Sequence, residues 1–212
     1  MGSGDVFGAV VSATDVENAV IQTLQYWFET YLQQRELERG EQRGSIERPF
    51  TWRTTNEFND KNPEDSPPFI AVVSNGLTRE PLRAGDGSVR ACWGIGIGII
   101  LAASTREASL SLVKDYYIPT IRRILVQKQS LREWPNGEAF AYGVDWIDEG
   151  YDDVTFDEAD RSLGQGQLMF EVEVDQVVDR FGGPNAPADP VHQPGSNWPE
   201  AQTGSVQVRK EE

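Results

Sequence analysis

Between Val89 and Leu101 the chain places Val89, Ala91, Trp93, Ile95, Ile97 and Ile99 at every second position, with Arg90, Cys92, Gly94, Gly96 and Gly98 between them. Period two marks a β-strand, because successive side chains point to opposite faces of a sheet. One face of this strand is greasy, and the other carries no side chains from Gly94 to Gly98. A layer of helices is needed to cover the first. The second requires a sharp bend of the sheet, or a backbone or helix packed very close. A run to Leu101 makes the strand unusually long.

Two segments supply the helices. Thr14-Asp15-Val16-Glu17 has the form of a capping box, in which the hydroxyl accepts from the Glu17 amide while the Glu17 carboxylate reaches back. Val16, Ala19, Val20, Leu24, Trp27, Phe28, Tyr31 and Leu32 then recur at three- and four-residue steps, a wide apolar stripe suited to lying on a sheet. From Gln33 to Arg43 the residues are polar and charged, and the segment is expected to fray into a solvated loop near Gly40 and Gly44. Ser104-Thr105-Arg106-Glu107 repeats the capping device ahead of Ala108, Leu112, Tyr116, Tyr117, Ile121, Ile124 and Leu125. Pro119 lacks an amide donor, so this helix is expected to kink or divide after Ile118.

The remaining strands are short or acidic. Phe50–Thr55 and Phe69–Ser74 read as two strands joined by the long polar stretch 56–68. After a turn at Trp134-Pro135-Asn136-Gly137, Phe140, Tyr142, Val144 and Trp146 alternate into an acidic loop, Asp148–Asp160. Leu168, Phe170, Val172 and Val174 then alternate with Met169, Glu171, Glu173 and Asp175. That strand has one greasy and one acidic face, its carboxylates stepping about 6.6–7 Å apart. The predicted organisation is an extension over 1–13, an α+β domain over 14–181, and a C-terminal arm over 182–212 with five prolines and four glycines. Trp198, Val206 and Val208 stand out in the arm as candidate anchors for a neighbouring sheet edge.

Charge narrows the function classes. With 19 basic and 34 acidic residues the net charge is −15, which disfavours gripping nucleic acid or an anionic membrane. The excess is concentrated: residues 133–181 carry a net of −12. The first residues include a short apolar run without a preceding Lys or Arg, and no stretch approaches 18 apolar residues, so a soluble, non-secreted chain is expected. Val6 breaks the myristoylation pattern. One cysteine, Cys92, and one histidine, His192, permit neither an internal disulfide nor a zinc site.

Catalytic patterns fail on their details. His192 lies between Pro190 and Pro194, without a packed surrounding to orient it. Cys92 alternates with apolar residues and reads as a core side chain. Gly94, Gly96 and Gly98 fall inside a strand, with no Lys-Ser/Thr after them, so they describe sheet shape instead of a phosphate loop. An EF-hand begun at Asp145 puts Ile147 and Phe156 at two ligand positions. Asp145, Asp148, Glu149, Asp152 and Asp153 could supply a carboxylate pair for glycoside cleavage, but no basic or histidine partner accompanies them. No enzyme activity, cofactor or metal is expected.

The order of elements, with WGIGIGIILAAST (93–105), TIRRIL (120–125), AYGVDWIDEGYDD (141–153) and FEVEVD (170–175), resembles the tail terminator, or tail completion, proteins of long-tailed bacteriophages, particularly of actinobacterial phages. The resemblance covers residues 14–178; the acidic excursion 152–160 and the Pro/Gly arm depart from it. It implies an α+β subunit, two main helices packed on one face of a mostly antiparallel sheet, closed into a hexameric ring. Such a ring caps the last ring of the major tail tube protein, stops tube growth and presents its other face to the head-tail stopper protein. The implied location is the tail-neck junction of the virion, after assembly in the host cytoplasm, with no membrane partner. Glu171, Glu173 and Asp175, with Asp145, Asp148 and Glu149, are then candidates for an acidic lumen that DNA crosses without sticking, or for a rim facing basic residues of the tube. A different connector or stopper component is the nearest alternative, and an acidic hydrolase the more distant one.

Overall fold

Ser12, not Thr14, opens the first helix. The computed structural model describes residues 11–49, 51–54, 67–83, 89–131, 139–156 and 162–176. Helix α1 spans Ala13–Glu38, and the Ser12 hydroxyl accepts from the Asp15 amide at 3.2 Å while the Asp15 carboxylate accepts from the Ser12 amide at 2.8 Å. The box is therefore built two residues earlier than the sequence reading placed it. Val16, Val20, Leu24, Phe28 and Leu32 are buried on one side of α1. Each large apolar side chain taken fully out of water contributes about 1.5–3 kcal/mol.

The tail of α1 does not fray where its polar composition suggested. Glu36 has no exposed surface, and its carboxylate accepts from the amides of Gly44 (2.7 Å) and Ile46 (2.8 Å) and from Arg48 (2.6 Å). A buried carboxylate requires such donors, and here they tie the following loop to the helix. At the other end, buried Glu17 accepts from the amide of Ser74 at 2.7 Å, beside a break in strand register.

Among the described residues six strands form one sheet: β1 (Thr51–Thr54), β2 (Phe69–Leu77), β3 (Leu82–Arg83), β4 (Val89–Ala103), β5 (Gly143–Phe156) and β6 (Ser162–Gln176). Their order is β1-β2-β4-β6-β5, with β3 beside the start of β4. Among the described residues only β1 and β2 pair in parallel; the other pairings are antiparallel. The fold is α+β with a mostly antiparallel sheet, as the resemblance implied. β4 and β6 stay in unbroken register from Val89↔Gln176 to Ala103↔Ser162. The segment expected to be an acidic loop from Asp148 onward is strand as far as Phe156. Antiparallel pairing to β6 supplies the backbone partners that its charged sequence conceals.

The second helical run has three parts: α2 (Arg106–Ser111), a π-helical turn (Leu112–Tyr117) and α3 (Ile118–Gln127). Thr105, one residue after the expected Ser104, caps α2 by accepting from the Ala108 amide at 3.2 Å. Pro119 accounts for the division between the π-turn and α3. It cannot donate to the carbonyl four residues back, Asp115, and that oxygen instead accepts from Arg35 Nε of α1 at 2.7 Å. The orphaned acceptor thereby becomes a tie between the two helical layers.

Both helical runs cover the same sheet face, with Ile70, Val72, Ile95, Ile97, Ile99, Leu168, Phe170 and Val172 beneath them. The close approach of a helix to a glycine does occur, but on β6. A Cβ added at Gly164 would sit 2.6 Å from the Ser109 carbonyl oxygen, and one at Gly166 2.5 Å from a Val113 methyl. Along β4, a Cβ at Gly94 would meet only the Thr78 methyl closely (2.9 Å), and one at Gly98 would meet nothing within 4 Å. Among the described residues, then, no helix lies on the bare face of β4.

Candidate functional site

The face of the sheet turned away from the helices is the surface with most chemical character, and the register builds it from both ends. On β2 and β4, Phe69↔Ile100, Ala71↔Gly98 and Val73↔Gly96 are cross-strand partners on this face, and Met169 of β6 pairs with Gly96. They line an open groove of about 350 Å³ whose floor, at Gly96 and Gly98, is backbone. A floor without side chains lets an apolar partner approach the main chain directly.

The other half of the face is acidic. Glu171 pairs with Gly94 and with Asp145, Glu173 pairs with Cys92, and Asp148 pairs with Met169, so Asp145, Asp148, Glu171 and Glu173 share the surface of the groove. Asp175 holds the register position opposite Arg90. Glu149 does not join them. A register shift between Trp146 and Asp148 leaves Ile147 as the extra residue and turns Glu149 to the helix side, where its carboxylate accepts from Arg122 of α3 at 2.7 Å. The Tyr151 hydroxyl donates to the same carboxylate at 2.8 Å, and burial together with that bond pushes the phenol up to about 12. Of the six acidic candidates from the sequence, Asp145, Asp148, Glu171 and Glu173 thus share one face, and Glu149 serves the helix layer. The anchors expected at Trp198, Val206 and Val208 lie outside the described residues, as does His192.

Two arginines that sequence reasoning did not single out temper the acidic half. Arg90 Nε lies 3.1 Å from Glu173, and Arg79 Nη2 lies 3.8 Å from the same carboxylate. The Arg79 guanidinium also contacts the Cys92 sulfur at 2.6 Å. Cys92 is buried, as expected of a small core side chain, and its register position puts it on the sheet face beneath Arg79. For Arg90 the signal was present: period two puts it on the same face as Cys92 and Gly94. For Arg79 no periodicity was available.

Edge strand β5, with Tyr142 just before it, carries exposed aromatic side chains held by cations. Arg90 lies 4.0 Å from the Tyr142 ring centroid, Arg122 4.7 Å from Trp146, and Lys114 4.9 Å from Tyr151. Trp146 remains 45% exposed, and Ile147 at the bulge is exposed as well. Aromatic and Arg side chains are the residue types that dominate binding energy when a partner covers them.

Among the described residues no group of three or more His, Cys, Asp or Glu is arranged to hold a metal ion, and no helix is long and apolar enough to cross a membrane. No protein-family model matches the chain, and no curated protein matches it.

Proposed function

We propose that the chain is a structural virion protein: the subunit of a hexameric ring that caps the tail tube of a long-tailed bacteriophage, ends tail polymerisation and joins the tail to the head-tail stopper protein. The reading extends the resemblance in element order and local sequence noted above. One observation carries it beyond that resemblance. Helices cover a single face of the sheet, and the opposite face is divided between an apolar groove over Gly96 and Gly98 and an acidic field of Asp145, Asp148, Glu171 and Glu173. An antiparallel sheet that keeps one face wet ordinarily alternates to polar residues there. Phe69, Val73, Ile100 and Met169 on such a face suit a surface completed by assembly.

The terminal strands of the sheet support the same reading. β1 and β5 end the strand order on opposite sides, so a head-to-tail contact between copies joins unlike edges, which is the geometry that closes rings. A symmetric β5–β5 contact with its axis between Trp146 and Ile147 would set Asp145 opposite Asp148, and like charges directly opposite destabilise a sheet. In the closed ring the acidic field borders the passage and repels the DNA that crosses it, over a screening length of roughly 8 Å.

The test adds the purified chain to polymerising tail tube protein and follows the product by electron microscopy. Tubes that stop growing and carry a ring at one end are the expected outcome. Tubes of unchanged length with bare ends overturn the proposal.

A further inference from the structure

We propose that the groove between α1, α3 and the bulge of β5 is a docking site for a short acidic segment of a partner protein, one that sets an apolar side chain beside its carboxylates. The groove measures about 310 Å³ and is lined by Arg35, Pro119, Arg122, Arg123, Val126 and Trp146. Three arginines share one hollow in a chain whose net charge is −15. Trp146 is the register partner of buried Phe170, so the groove opens on the helix side of the sheet, opposite the acidic field.

Among the described residues, these three guanidiniums face two carboxylates. Arg123 donates to Glu38 from both terminal nitrogens, at 2.7 and 3.3 Å, and Arg35 Nη1 shares the same carboxylate at 3.3 Å. Arg122 Nη1 donates to Glu149 at 2.7 Å. The Asp115 carboxylate close by is answered by a cation outside the groove, Arg39, at 3.2 Å. One unit of positive charge is therefore left over. Each guanidinium has five N–H groups, and the bonds to Glu38, Glu149 and the Asp115 carbonyl occupy at most two on each. The Arg35, Arg122 and Arg123 side chains are 24%, 33% and 34% exposed, a partial withdrawal from water that strengthens their pull on an added carboxylate.

Two features select the occupant. Val126 and Trp146 are both exposed although apolar, and with Pro119 they give the groove a wall that a bare anion would leave wet. An apolar side chain next to the carboxylates covers it. Arg122 stacks on the Trp146 ring, 4.7 Å from its centroid, which uses the face of the guanidinium and leaves its edge for bidentate contact with a carboxylate. Clustered arginines recognise acidic motifs in this way, and Trp with Arg are the residue types that dominate binding between proteins. A nucleic acid carries the anionic groups as well, but every phosphate along it meets the field of a strongly acidic molecule, whereas a short peptide brings its few charges only to the groove. The inference does not depend on the ring.

The experiment labels the full chain with 5-fluorotryptophan and assigns the Trp146 fluorine resonance by its loss in W146F. The probe is the peptide Ac-Gly-Glu-Leu-Glu-Gly-NH2. A saturable shift of the Trp146 line is expected, fading as salt shortens the screening length. Affinity should fall about tenfold in R122Q/R123Q, which removes two of the cations. Val126→Glu changes an exposed position, so the fold persists even where the arginine variant fails to fold; it supplies a third carboxylate to the groove and should weaken binding by a similar factor. No saturable shift, an equal shift with the Gln-for-Glu peptide, undiminished affinity in either folded variant, or tighter binding of octathymidylate than of the peptide each overturn the proposal.

Discussion

Gly164→Ala and Gly98→Ala place the same methyl group on opposite faces of the sheet and should have opposite consequences. At Gly164 the new Cβ would lie 2.6 Å from the Ser109 oxygen and 2.8 Å from its carbonyl carbon. Ordinary C···O contacts fall at about 3.3–3.6 Å, so the helix backbone must retreat by about 0.7 Å. It has little freedom to do so, because Ser109 is fully buried and its amide is held by the Thr105 carbonyl at 3.0 Å. Overpacking of this kind costs about 1–3 kcal/mol. For a chain of this size that lowers the melting temperature by about 2–12 °C. At Gly98 nothing lies within 4 Å of the added methyl, and replacing a strand glycine lowers the unfolded chain's entropy. A gain of up to about 0.5–1 kcal/mol follows. Differential scanning calorimetry of the two variants decides the matter. Equal destabilisation by both would refute the reasoning, since it would mean that the bare face of β4 is covered as tightly as the helix face.

Glu36→Gln should cost about 1.5–3 kcal/mol at neutral pH, measured by urea titration, because it weakens charge-assisted bonds to a buried acceptor. Burial alone would raise this carboxyl, but Arg48 and the amides of Ile46 and Gly44 outweigh it and hold the group below the usual carboxylate range. Its contribution is therefore complete above the ordinary carboxylate value near about 4.3 and is lost as pH falls through the lower folded value. The variant should accordingly lose part of the acid limb of the stability profile. Arg122→Ala removes the 2.7 Å pair with Glu149 and the cation over Trp146, and should cost about 1 kcal/mol in denaturant midpoint with an unchanged slope. Reversing the acidic field with D145K, E171K and E173K makes a basic patch beside Arg79 and Arg90 and should let DNA be retained on filters at low salt, where the parent chain retains none. Identical retention by both would remove that field from the repulsion of DNA.

The sheet core was legible because its alternation is strict: Ile95, Ile97, Ile99, Phe170 and Val172 needed only period two to be placed under the helices. Asp145, Glu171 and Glu173 came to one surface for the same reason, whereas Asp148 reaches it only through the extra residue at Ile147. Glu149 did not, because a single extra residue at Ile147 inverts the alternation, and no composition rule marks that position. Polar composition misled in two places. The acidic run Asp148–Asp160 points to a loop, although pairing with β6 makes 148–156 strand, and the polar run Gln33–Arg43 points to fraying, although Glu36 finds donors eight to twelve residues later. The cap positions missed by one or two residues, since Ser12, Thr14, Ser104 and Thr105 all offer a suitable hydroxyl. The tie between Arg35 and the carbonyl freed by Pro119 joins residues 80 apart, a contact invisible to any local window.

Native mass spectrometry of the full chain tests the central proposal most directly. A dominant species at six times 23.7 kDa, formed alone or when tail tube ends are supplied, is the predicted result. A chain that stays at the mass of one copy under both conditions would contradict it.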